Sequence, residues 1–144
     1  MKTYTPKANE IEERWYLVDA DGQTVGRLAS RIALVLRGKN DPRFSPHVNM
    51  RNHVVVINAE KVRFSGNKMN EKKYYRHSNW PGGIQEATPK QLLKQKPTEI
   101  LRHAVWGMLP KNRLGRATMK RLRLFVGPEH HHAAQRPEPL ELVK

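Results

Sequence analysis

The run Val54-Val55-Val56-Ile57 constrains this chain more than any other stretch of its 144 residues. Four consecutive β-branched side chains favour extended backbone. Successive strand residues point to opposite faces, so all four can be apolar only where both faces are covered. Such a strand belongs in the middle of a sheet. Upstream, Trp15-Tyr16-Leu17-Val18 is a second short run of strand-forming types, closed by a turn over Asp19 to Gly22. Between the two, Leu28, Ala29, Ile32, Ala33, Val35 and Leu36 recur at helical spacing. Thr24 is placed to cap this helix by accepting a first-turn N–H, and Gly38 is placed to stop it. Residues 39–52, with Pro42 and Pro46, read as loop. Strand, helix and buried strand make a βαβ unit with an expected right-handed crossover.

The second half is less regular. Phe64 to Tyr75 is polar with a possible strand or hairpin, and Trp80-Pro81-Gly82-Gly83 reads as a loop. Thr88-Pro89-Lys90-Gln91 has the form of a helix opening: a capping Thr, Pro at the first position, and Gln three residues after the cap. Pro97-Thr98 opens another helix, with Ile100, Leu101, Ala104, Val105 and Met108 on one face, and Leu122 to Val126 reads as a final strand. The expectation is one α/β domain: an arm over about residues 1–13, a core over about 14–126, and an extended tail over about 127–144.

Charge then narrows the function. The chain carries 27 Lys and Arg against 13 Asp and Glu, a net of +14. Self-repulsion of that size points to a polyanionic partner, nucleic acid before an anionic membrane surface. The excess is local: residues 61–123 hold sixteen cations and three acids, while residues 1–60 and 124–144 are close to balance. A basic middle implies a charged face on a folded body, not a disordered arm.

Three constellations carry this charge. The first is Arg27, Arg31, Arg37, Lys39 and Arg43; Arg27 and Arg31 lie one helical turn apart, opposite the apolar stripe. It is either an ordinary solvated face or a phosphate-binding one, and the absence of any acid from residue 22 to 40 favours the second. The second runs over Lys61, Arg63, Lys68, Lys72, Lys73, Tyr74, Tyr75, Arg76 and His77 to Trp80. Cations there neutralise phosphates and exposed rings stack on unpaired bases, although one of the adjacent tyrosines belongs in the core. The third is Lys111, Asn112, Arg113, Arg116, Lys120, Arg121 and Arg123, six cations in thirteen residues with no acid. Leu114-Gly115 interrupts it and is read as letting backbone approach a phosphate closely.

Other chemistries find little support. There is no cysteine, which removes disulfides, thiol nucleophiles and Cys-based zinc sites. Neither HExxH nor GxxxxGK[ST] occurs, and no nucleophile sits beside an evident base. The seven histidines include the run His130-His131-His132, but adjacent residues diverge where a metal needs converging ligands; contacts to phosphates or bases are the better reading. Met1 to Glu13 has no signal-like apolar core, and no apolar run reaches membrane-spanning length. The expectation is a cytoplasmic protein with no catalytic residues, metal, cofactor, small-molecule substrate or membrane partner.

Several blocks, in order across nearly the whole chain, resemble the L-thirteen family of large-subunit ribosomal proteins. They are Trp15–Ala20, Gly26–Ser30, Leu36–Lys39, Val54–Lys61, Lys73–Ser78, Ala134-Gln135 and, most specifically, Gly107-Met108-Leu109-Pro110-Lys111-Asn112-Arg113-Leu114-Gly115-Arg116. The resemblance implies a three-layer α/β/α domain with a mainly parallel four-stranded sheet. It also implies binding to large-subunit ribosomal RNA, neighbouring large-subunit proteins as partners, and a part in early subunit assembly. By similarity, the matching residues of the three constellations contact RNA, with His131 and Gln135 of the tail added. Arg51-Asn52 departs from the family's frequent Gly-Asp, Asn79-Trp80 varies the loop before Pro81, and the histidine run replaces a His-Pro-His pattern. The alternative is an mRNA-binding translational regulator using the same surface. The missing acid/base constellation disfavours an RNA-acting enzyme, and a membrane-surface protein is disfavoured because the basic residues are not opposite an exposed aromatic–aliphatic helix face.

Overall fold

A computed structural model describes residues 4–140. Strand β1 (Arg14–Asp19) leads to helix α1 (Val25–Arg37) and strand β2 (Asn52–Ile57); a short helix α2 (Lys68–Glu71) and the hairpin of β3 (Tyr74–His77) and β4 (Ile84–Ala87) follow. Helices α3 (Pro89–Gln95), α4 (Glu99–Met108) and α5 (Arg113–Met119), then strands β5 (Leu122–Leu124) and β6 (Glu138–Pro139), complete the order. The main sheet runs β5-β2-β1-β6 with every pairing parallel, so the expected α/β fold with a four-stranded sheet is present. The βαβ unit occupies its centre.

The register explains why β2 is apolar throughout. Tyr16 pairs with Val54 and Val18 with Val56, and Leu122 continues this face. These residues form one core with Leu28, Ile32 and Leu36 of α1 and Ile100, Leu101 and Val105 of α4. Helix α1 packs on β2 and against α4.

The opposite face carries Trp15 beside His53 and Leu17 beside Val55, and Val55 is fully buried. The tail covers it. From β5 the backbone runs along the end of β2, where Phe125 donates to Val56 and accepts from Ala59, and Gly127 accepts from Asn58. The Gly127 N–H is received by the Glu60 carboxylate at 3.1 and 3.2 Å. His132 lies over Trp15, with ring centroids 5.1 Å apart, and Trp15 stacks on His53 at 4.2 Å and 11°. After a 3-10 turn at Ala133–Gln135 the chain reaches the far edge, where Leu140 donates to Leu17 at 2.8 Å and Pro139 lies beside Leu17. The stretch read as a simple extended tail is therefore a covering layer that ends as an edge strand.

Local signals met different fates. Gly38 adopts φ 78° at the end of α1, and a Cβ there would sit 2.3 Å from Met50, so a residue with a side chain is excluded twice over. Thr88 and Gln91 form the expected reciprocal cap of α3. Thr24 does not cap through its side chain: it bridges to Arg63 as an isolated strand contact, and the Val25 N–H goes to the Arg63 carbonyl at 2.9 Å. A neighbouring strand-like segment thus satisfies the first free N–H of the helix by another route.

Candidate nucleic-acid interface

The helix α1 face opposite the core exposes Arg27 and Arg31, because the apolar residues that bury its other face recur at 3.6-residue spacing. A groove of about 230 Å³ at the start of α1 brings Arg27 together with Arg63 and Lys68. The first and second constellations are thus joined in space. A cleft of about 160 Å³ joins Arg37, which lies 5.7 Å from the Phe44 ring, to Asn112 of the third. Lys39 is exposed beyond the end of α1.

Arg43 is committed within the chain. Its guanidinium donates to both Asp41 carboxylate oxygens, at 3.2 and 3.0 Å, and holds that carboxyl below its ordinary range. Lys73 is committed too, 2.7 Å from Glu86 across the hairpin. Lys72 packs over the rings of Phe64 and Tyr74 at 5.7 and 5.0 Å. Tyr74 is half-buried and Tyr75 is 62% exposed, the split expected of neighbours on a strand. Arg76 and His77 are exposed, and His77 Nδ1 accepts the Asn79 N–H at 2.9 Å.

The third constellation divides the same way. Asn112 caps α5 by accepting the Gly115 N–H at 2.8 Å. Lys111 donates to the carbonyls of Trp106 and Leu109 and lies 4.3 Å over the Trp106 ring, closing the C-terminal end of α4. Gly115 corrects a reading of the sequence. It is buried in α5, and a Cβ there would meet the Pro110 carbonyl at 1.9 Å. The close backbone approach it permits is to the chain's own carbonyl, not to a phosphate.

Arg121 is half-buried and donates to Asn49, and burial lowers its pKa. Asn49 also accepts the Arg51 N–H at 3.2 Å. Arg51 adopts φ 54°, left-handed backbone that favours glycine. Arg113, Arg116, Lys120 and Arg123 are exposed and form no ion pair among the described residues. Lys120 and Arg123 share a cleft of about 470 Å³ with Arg102. Sequence reasoning missed Arg102; its signal was its place on α4 among residues whose apolar neighbours face the core.

The tail candidates stand apart. The His131 ring packs edge-on to Phe125 at 5.6 Å, although the residue is exposed. Gln135 lines a cleft with Glu12, Glu13 and Glu138 alongside Arg14 and Arg136, a mixed and not a basic surface. The tail histidines therefore serve the fold directly. Among the described residues no three His, Asp or Glu side chains converge as metal ligands, and no helix is long and apolar enough to cross a membrane.

The sequence profile of the family described as ribosomal protein L13 matches residues 13–131. The chain belongs to the ribosomal protein L13 family. Its similarity to L13 relatives extends almost end to end. It is 54% identical over 142 residues to the large ribosomal subunit protein uL13 of Lawsonia intracellularis, covering 99% of both chains. It is 54% identical over 140 residues, 97% of both chains, to the proteins of the same name from Bacillus thuringiensis and Bacillus cereus. The profile match takes in all three constellations and ends at His131, short of Gln135, so the basic surfaces lie within the L13 core.

Proposed function

We propose that this chain is a structural, non-catalytic component of the large ribosomal subunit that binds large-subunit ribosomal RNA and supports early subunit assembly in the cytoplasm. The observation that carries the reading is a set of exposed cations without intramolecular ion pairs among the described residues, on the rigid body of an L13-family chain: Arg27, Arg31, Lys39, Arg113, Arg116, Lys120 and Arg123. Side chains of this kind neutralise phosphates where RNA helices pack closely, and recognition follows backbone shape more than base sequence. Neighbouring large-subunit proteins are its other partners; no cofactor or small-molecule substrate enters.

Lys111 and Arg121 direct hydrogen bonds to neutral oxygens of the fold, which leaves four cations of the third constellation free to meet phosphates. Their contribution to the log–log salt slope is roughly −3 to −4. Sedimentation of cell extract tests the whole reading: the chain is expected with large-subunit particles at low salt and free of them at high salt. Recovery free of particles under all conditions overturns it, and tight binding to one short mRNA hairpin would instead favour a translational regulator.

A further inference from the structure

Three tryptophans differ sharply in setting. Trp15 is stacked on His53, Trp106 lies under Lys111, and Trp80 is 76% exposed at the tip of the β3–β4 hairpin. One exposed ring alone is ordinary, but this hairpin also exposes Tyr75 and Ile84, and a group of large apolar side chains held open on a firm support marks a contact surface. The support here is firm. Ser78 donates to Gly83 at 3.0 Å, Gly83 donates to the Trp80 carbonyl at 2.9 Å, and Asn79 donates to His77 Nδ1 at 2.9 Å. Asn79 and Gly82 take φ of 63° and 70°, and a Cβ on Gly83 would lie 2.0 Å from Ser78 Oγ. The loop is closed tightly around the residue that it presents.

The surroundings select the occupant. Tyr75 and Ile84, both exposed, lie on the outward face of the hairpin, because Tyr75 pairs with Glu86 and His77 with Ile84. Arg76, next to Tyr75 on β3, is exposed and leaves from the other face of the hairpin, and the one carboxylate of the hairpin strands, Glu86, is held by Lys73. A hairpin with exposed rings, a free cation and no free carboxylate on its strands complements a base attached to a phosphate chain better than it complements a protein face.

We propose that Trp80 is a stacking platform for one unpaired base of structured RNA, presented at the tip of a hairpin that also exposes Tyr75 and Arg76. The stacking site rests on the RNA-binding function proposed above, and it differs from the phosphate contacts in depending on a base.

The test uses the full chain. Trp80→Ala should weaken binding to purified large-subunit ribosomal RNA by roughly fivefold to a hundredfold, with an unchanged salt slope, because no phosphate contact is removed. Trp80→Phe should retain most of the affinity. The fluorescence difference between wild type and Trp80→Phe should be quenched by polyadenylate and untouched by inorganic polyphosphate, which meets the same cations but has no bases. Equal quenching by both, or by neither, overturns the proposal. If the wild-type chain binds no ribosomal RNA, the broader function fails as well. If wild type and Trp80→Ala bind equally, the stacking site alone falls and the tip is left for a protein neighbour.

Discussion

The two faces of the central sheet are built on different principles. Beneath α1 and α4, Tyr16, Val18, Val54 and Val56 meet aliphatic side chains, and burial of apolar area is the whole interaction. On the other face, Trp15, His53, His131, His132 and Phe125 meet ring to ring, beside charged Glu13 and Arg121. The first face is insensitive to pH and tolerates only shape. The second couples the fold to protonation, and it is closed by a segment more than seventy residues away from β2 in the chain.

The largest expected effect falls on the helix side. Ile100→Ala, at a fully buried position, should destabilise the chain by about 2–5 kcal/mol, read as a denaturant midpoint shift of similar size at pH 6 and pH 8. A strong pH dependence of that loss would contradict the division between the faces.

Trp15→Ala should cost less, about 1–3 kcal/mol, because Trp15 is only half-buried. Its distinguishing consequence is local: limited proteolysis should cut faster in the tail after Phe125. An unchanged cutting rate would mean that the edge strand, not the ring stack, holds the tail.

A smaller effect separates the faces by pH. Burial lowers the His53 pKa more than Glu13, 2.8 Å from Nε2, raises it, and Nδ1 is buried without a partner. The neutral ring, donating from Nε2, suits this site. The unfolded chain therefore binds the proton more readily, and stability present above about pH 6.5 is lost as pH falls through and below that value. The slope contributed by this group stays below about 1.4 kcal/mol per pH unit, the limit for one proton. His53→Gln should flatten the stability profile between pH 7 and 5; an unaltered profile would show that another group carries it.

The smallest effect on the fold accompanies a clear one on binding. Arg113→Gln with Arg116→Gln should change stability by less than about 0.5 kcal/mol while reducing the salt slope of RNA binding by about 2.

Periodicity made the helix side legible. Leu28 through Leu36 and the Val54 run needed only their spacing, since a 3.6-residue stripe and a doubly buried strand have few other solutions. The reciprocal cap at Thr88 was legible for the same reason: its partners are three residues apart. The histidine run was not, because its partners, Trp15 and Phe125, come from opposite ends of the sequence. Gly115 misled because a missing side chain has the same appearance whether it admits a phosphate or the Pro110 carbonyl. The basic clusters are visible in the sequence, but which of their cations find partners within the chain depends on acceptors such as Asn49, Asp41 and the Trp106 carbonyl of α4, whose proximity only folding creates.

The edge strand that the tail contributes has a bearing on solubility. Pro139 brings no N–H to the outer rim, and β6 is two residues long. At the opposite rim β5 has three residues, with Arg121 before it and Arg123 within it. Among the described residues neither border offers the long, flat row of donors and acceptors that another copy needs in order to pair. The described sheet is thereby protected against self-templating at both borders, by a missing hydrogen on one side and by like-charge repulsion on the other.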